Sequence, residues 1–319
     1  MMKKINDIIG DAKTIGIAGH LRPDGDCMGS CMSLYNYLKK NRPDLDVRVF
    51  LEFVDKKFNI IENTDQIITT GYDGTKFDLF ISLDTASLDR LGLNLPFYEN
   101  AKRTACIDHH ASNDGYADYN YILPKASSAS EVLYDLLDED LIDKSIAEPM
   151  YMGIAHDSGV FRFQSTTPKT MRIAANMIEK GVNVNMILEE TFFRKTYNQM
   201  MVTAKIQSEA VLALDGKCIY GYCTSEMMEE YGVTTKDLDA VVASIRNVDG
   251  VEVAMFLYQL SEDSYKVSLR SKNYVDVSKI AVFFGGGGHV RAAGCDMQGS
   301  MYDVINNLTA EIEKQLAEE

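Results

Sequence analysis

The residues with most chemistry to offer are the five histidines of this 319-residue chain. Each stands inside or beside a run of Asp and Gly: His20 in GHLRPDGDCMGS, His109 and His110 in CIDHH, His156 in GIAHDSG and His289 in FFGGGGHVRAAGC. Imidazole is the commonest metal ligand and titrates near neutral pH. A chain that uses histidine so sparingly, and sets it among carboxylates, uses it for chemistry. Carboxylates placed this closely repel one another, so they need protons or a cation. So many oxygen and nitrogen donors suit two divalent metals, which in such sites lie about 3.5–4 Å apart and jointly activate a water against a phosphoryl group. Mixed Asp and His ligation without Cys favours Mn²⁺ over a thiolate zinc site, and the histidines argue against Mg²⁺ alone.

The elements that must position these groups are legible as alternating runs. TIGIAG (14–19), DVRVFL (46–51), FDLFISLD (77–84) and RTACID (103–108) read as strands, with a helix over 28–40 between the first two. Alternation of this kind implies βαβ units and a mainly parallel, doubly wound sheet. Asp24 and Asp26 follow the first strand, and Asp84 and Asp108 end two others, so three distant stretches deliver their groups beyond the carboxyl ends of the strands, where open α/β sheets bind ligands. Helices dominate from 128 onward. Ser128 and Glu131 have capping-box spacing. Thr167 and Pro168 open a helix over 169–181 that Gly181 ends. A second α/β pattern follows, with strands at 217–223, 252–260 and 265–271 and helices at 235–246, 276–283 and 301–317. The expected organisation is a catalytic metal-binding domain over 1–190, a helical linker over 191–213 and a smaller α/β substrate-binding domain over 214–319, with a cleft between the domains.

Composition sets the outer limits. A hydrophobic content of 46% is enough to bury real cores. No apolar run approaches the ~18 residues of a membrane span, and the N-terminus has no secretory pattern. Six cysteines without a CxxC pair read as reduced thiols of a cytoplasmic protein. Cys27 and Cys31 lie one helical turn apart but have no further ligand near them in sequence. A net charge of −15 argues against long duplex nucleic acid. It leaves room for small phosphorylated substrates, because bound dications reverse the local sign.

HLRPDGD, the lone Asp84 at a strand end, Asp108-His109-His110 and HDSG (156–159) resemble the four motifs of the DHH phosphoesterase superfamily. GGGGHVRAAG (285–294) resembles the signature of the DHH-associated C-terminal domain. The resemblance spans essentially the whole chain, and the motifs in this order are highly specific. It implies one metal held by His20, Asp24 and Asp84, and a second held by Asp26, Asp84, His109 and Asp157. Asp84 would bridge them, Asp108 would orient a histidine, and His110 would face the substrate phosphate. It also implies Mn²⁺-dependent hydrolysis of short oligoribonucleotides to nucleoside monophosphates, and of 3′-phosphoadenosine 5′-phosphate to AMP, by a metal-activated hydroxide. Short single-stranded RNA or a dinucleotide would be the partner, and a homodimer is allowed. Ser158 stands where the family often has Thr, and His156 where a non-ligand is common.

In the second domain Gly286, Gly287 and Gly288 would let backbone N–H groups approach a phosphate, and His289 would read the substrate. Arg246, Arg270 and Arg291 offer guanidinium forks for a second phosphate. Cleavage of cyclic diadenylate, hydrolysis of inorganic pyrophosphate or polyphosphate, and nucleotide binding without turnover remain open as alternatives.

Overall fold

A computed structural model describes residues 4–238 and 241–317. Its contacts divide the chain into two compact units, Met1–Arg194 and Lys195–Glu319. The first unit runs α1 (Ile5–Ile9), β1 (Thr14–Ala18), α2 (Gly25–Asn41), β2 (Asp46–Phe50), β3 (Leu79–Leu83), α3 (Leu95–Glu99), β4 (Thr104–Asp108), β5 (Tyr119–Ile122), α4 (Ala129–Leu136), α5 (Lys144–Asp157), α6 (Pro168–Glu179) and α7 (Val184–Leu188). A π-helical turn, Glu189–Phe193, closes it.

The five strands lie in the order β2-β1-β3-β4-β5, and every pair is parallel. After β2 the chain crosses to the other side of β1, so the switch point falls between β1 and β3. Successive side chains in a strand point to opposite faces. Ile15, Ile17, Leu79, Ile81 and Leu83 therefore pack into the larger core, with Met28, Met32 and Leu34 of α2 and Met150 and Ile154 of α5. Ala18 and Phe80 face a smaller aromatic core with Phe50, Phe77 and Phe97. Covering both faces explains why β3, LFISL, is buried throughout and reads as a continuous apolar run.

Helix α2 begins three residues before the expected 28–40 because Asp24 caps it, its Oδ1 accepting from the Asp26 and Cys27 N–H groups at 3.0 Å. Ser128 caps α4 through the Glu131 N–H, but the reciprocal half of a capping box is missing. The Glu131 carboxylate accepts instead from the Ser127 and Thr170 hydroxyls, each at 2.7 Å, tying α4 to α6. Thr167 and Pro168 do open α6, which ends at Glu179, two residues before Gly181 and its φ of 95°.

The second unit contains α8 (Tyr197–Ser208), β6 (Val211–Ala213), β7 (Cys218–Cys223), α9 (Ser225–Tyr231), α10 (Val241–Ile245), β8 (Val253–Ser261), β9 (Ser264–Ser271), α11 (Val277–Phe283), β10 (Gly287–His289), β11 (Ala292–Gln298) and α12 (Met301–Leu316). Its sheet is mixed, in the order β10-β11-β9-β8-β7-β6, with β7–β8 the parallel pair. The 191–213 segment expected as a linker contributes α8 and β6 to this unit, with Val202 and Ile206 in one of its cores. The expected 235–246 helix is a 3-10 turn, Thr235–Asp237, followed by α10, and 239–240 lie outside the described residues. No helix among the described residues is long and apolar enough to cross a membrane.

Candidate metal centre

The loops after β1, β3 and β4 bring His20, Asp84, His109 and His110 together, with Asp157 arriving from the last turn of α5. Asp84 is the hub. Its Oδ2 lies 3.4 Å from His20 Nε2, and its Oδ1 lies 3.5 Å from His109 Nε2 and 3.7 Å from His110 Nδ1. His20 Nε2 lies 3.8 Å from Asp24 Oδ2, and His109 Nε2 lies 3.1 Å from Asp157 Oδ2. Asp84 itself sits at φ 51°, a left-handed conformation that Asp tolerates better than bulkier residues and that is often found at functional sites.

Most of these separations exceed a good hydrogen bond. They do match a coordination shell: bonds of about 2.0–2.2 Å set neighbouring donors about 3–3.5 Å apart. Asp84 Oδ1 is buried and has no hydrogen-bond partner among the described residues. A buried carboxylate oxygen left so is costly unless a cation meets it. The donors form groups compatible with an ion at Asp26–His109–Asp157, at Asp84–His109–His110 and at His20–Cys27–Asp84. The residues thus fit divalent metals, but the thiol of Cys27 stands among them, contrary to the expectation of a Cys-free donor set.

Electrostatics agree with a site that demands positive charge. Burial disfavours ionised Asp84, yet His109 and His20 hold its carboxyl well below the usual range. Burial opposes a charge on His109, but Asp157 and Asp84 overcome it and raise the imidazole to about 12. Burial pushes Asp157 up to about 6 against the pull of His109. Asp26 is driven well above its ordinary value by burial and then by the charges of Asp84 and Asp157.

Residues that the sequence did not single out hold the site from behind. Asp26, fully buried, accepts from the Ala129 and Ser130 N–H groups at 2.6 and 3.0 Å, the first turn of α4. Asp108 Oδ1 accepts from His110 Nδ1 at 2.8 Å, and Asn113 donates to Asp108 Oδ2 at 2.7 Å while also reaching the Thr85 carbonyl. His20 Nδ1 lies 2.6 Å from the Leu21 carbonyl, which places its proton there and leaves Nε2 as the nitrogen open to a metal. Asp-x-x-x-x-Asn spacing carries no general signal, so Asn113 was not legible.

His156 stands apart. Thr191 Oγ1 donates to the Ile187 carbonyl and so accepts from His156 Nε2, 2.9 Å away. Burial, with Lys57 adding to it, lowers this imidazole to about 4, so it is a neutral packed ring beside Phe58 and Phe192.

In the second unit, strand register pairs Arg270 with Ala292 and Ala292 with His289, which sets Arg270 and His289 in one row on one face, about 10 Å apart across the small Ala292. Arg246 and Arg291 approach Ser271, through its carbonyl at 3.4 Å and its hydroxyl at 3.5 Å. Arg291 also donates to the Val275 carbonyl at 2.7 Å and to the Asn273 carbonyl, so its fork braces a loop. The glycines divide. A Cβ on Gly286 would lie 2.2 Å from the Gly294 carbonyl, and one on Gly288 (φ 144°) would lie 2.5 Å from the Ala292 carbonyl, whereas Gly287 faces open space. Two of the three are thus required by strand packing alone.

Comparison with known proteins follows the same division. Residues 14–154 match the DHH family, N-terminal domain, and residues 215–318 match the DHHA1 domain. The chain is 32% identical over 295 residues to the bifunctional oligoribonuclease and PAP phosphatase NrnA of Thermus thermophilus, covering 89% of this chain and 84% of that one. It is 26% identical over 305 residues to the protein of the same name from Bacillus subtilis, covering 94% of each. An exopolyphosphatase-related protein of Bacteroides fragilis shares the fold, with a TM-score of 0.88 at 23% identity, over 97% of this chain and 94% of that one.

Proposed function

The chain belongs to the DHH family and is a hydrolase of phosphoester bonds, and on that premise we propose that it cleaves short oligoribonucleotides to nucleoside monophosphates and converts 3′-phosphoadenosine 5′-phosphate to AMP, with Mn²⁺ as its metal. The observation that carries this reading is Asp84, a buried carboxylate approached by imidazoles from two other strand ends and left with an unpartnered oxygen. The names of the Thermus and Bacillus relatives support the substrate class.

His20, Asp24 and Asp84 would hold one ion; Asp26, Asp84, His109 and Asp157 would hold the other. Divalent cations there would supply Lewis acidity toward phosphoryl oxygens and acidify the attacking water. The α4 N–H groups fix Asp26, and Asn113 fixes Asp108, which orients His110 through Nδ1. His110 then acts from Nε2 as a proton donor or charge stabiliser for the phosphoryl group. In the second domain, Arg270 and His289 bind the substrate from their shared sheet face, and Arg246, Arg291 and the Gly286–Gly288 backbone complete that surface. The polar row supports the Arg270 and His289 part of this assignment.

The test is a substrate panel with Mn²⁺, resolved by product identity: pApA, 3′-phosphoadenosine 5′-phosphate, cyclic diadenylate and inorganic pyrophosphate. AMP from the first two is expected. Phosphate from pyrophosphate, with pApA intact, would overturn the reading.

A further inference from the structure

Cys27 occupies the first turn of α2, and its sulfur belongs to a group with His20 and Asp84 whose ligand atoms all lie within 4.8 Å of one another. A common ion, with bonds of about 2.0–2.3 Å, would draw these atoms to within about 4.4 Å of one another. The thiol is fully buried, and it approaches the His20 carbonyl at 3.9 Å. Gly19 leaves room for it: a Cβ there would come 2.2 Å from the sulfur. The second member of the group, Asp84, is 2% exposed and turns its Oδ2 toward His20 Nε2 at 3.4 Å. Asp24, the carboxylate expected to complete this position, has one oxygen engaged in capping α2.

We propose that Cys27 is a thiolate donor to the ion held by His20 and Asp84, which gives this position an affinity for thiophilic dications such as Zn²⁺, Co²⁺ and Cd²⁺. Soft sulfur ligands select such metals, whereas carboxylate oxygens suit Mn²⁺. As the metal–sulfur bond forms, the S–H bond breaks and the proton passes to solvent; no electrons are transferred. The inference rests on the metal-centre reading above.

Cobalt separates the two. The full-length protein loaded with Co²⁺ is expected to show visible d–d bands, which report occupancy, and a near-ultraviolet sulfur-to-cobalt band, which reports thiolate ligation. Cys27→Ser should abolish the second band, while Cys31→Ser, one helical turn away, should retain it. Cys27→Ser should also weaken Cd²⁺ relative to Mn²⁺ by at least the roughly ten-fold that even an outer-shell partner contributes. Visible bands without the near-ultraviolet band in the wild type overturn the thiolate assignment and leave the metal centre standing, an outcome that does not depend on how the variant folds. An undiminished band in folded Cys27→Ser overturns it too. Failure to bind cobalt overturns both.

Discussion

In the first unit most of the candidate metal-holding side chains, Asp24 excepted, are withdrawn from water and held from behind, while in the second the glycine run and His289 stand at the open edge of a sheet. His20 is 9% exposed, Asp84 2% and Asp26 and Asp108 not at all, and each of Asp26, Asp108 and His20 has a named backbone or amide partner. Gly287, Gly288 and His289 form an exposed three-residue strand. The difference fits two tasks. Groups that stabilise charge in a transition state work best when fixed before substrate arrives. Groups that recognise the rest of a substrate can stay solvated.

Breaking the first region should have the largest effect. His110→Ala is expected to lower kcat by about 10²–10⁴-fold, the usual contribution of a positioned acid or base, with Mn²⁺ still bound. A loss below ten-fold in steady-state turnover would move proton chemistry away from this ring. Asn113→Ala should cost about 10–100-fold, as for outer-shell partners generally, and should displace the pH profile of kcat more than KM. An effect confined to KM would make Asn113 a packing residue. Gly288→Ala probes the second region. Its positive φ and the close Ala292 carbonyl predict a loss of about 1–3 kcal/mol in thermal unfolding of the second unit, with Mn²⁺ affinity as in wild type. A fall in Mn²⁺ affinity would blur the division between the regions.

The smallest effect concerns pH. With the folded value of His109 raised to about 12, its stabilisation of the metal-free protein is complete below the unfolded value of about 6.5 and is lost as pH rises toward the folded one. Mn²⁺ must displace those protons, so its stabilising effect should widen as pH rises. Unfolding midpoints with chelator and with Mn²⁺ across this range would show it; a difference that narrows with pH would contradict the electrostatic account.

The same contrast governs what could be read from sequence. β1 to β4 were legible because central parallel strands are continuous apolar runs between turn residues. β5, β6, β10 and β11 were not: YNYI is half exposed, VLA and GGH have three residues each, and AAGCDMQ holds no β-branched or aromatic residue. The metal-centre candidates stood out by residue type at strand ends. Their supports did not, since Asp26 meets Ala129 at a separation of 103 residues. Cys27 looked like an isolated core thiol, because only the fold brings His20 and Asp84 to it. The glycine run suggested phosphate binding at every position, yet packing against β11 accounts for Gly286 and Gly288.

The central claim, that Asp84 joins the two halves of a metal centre for phosphoester hydrolysis, is tested most directly by counting bound Mn²⁺ and following pApA cleavage in Asp84→Asn beside the wild type. The account predicts two ions per wild-type chain, loss of at least one in the variant, and a fall in turnover beyond the roughly 100-fold upper range of outer-shell changes. A folded variant that keeps both ions and cleaves pApA at close to the wild-type rate would contradict it.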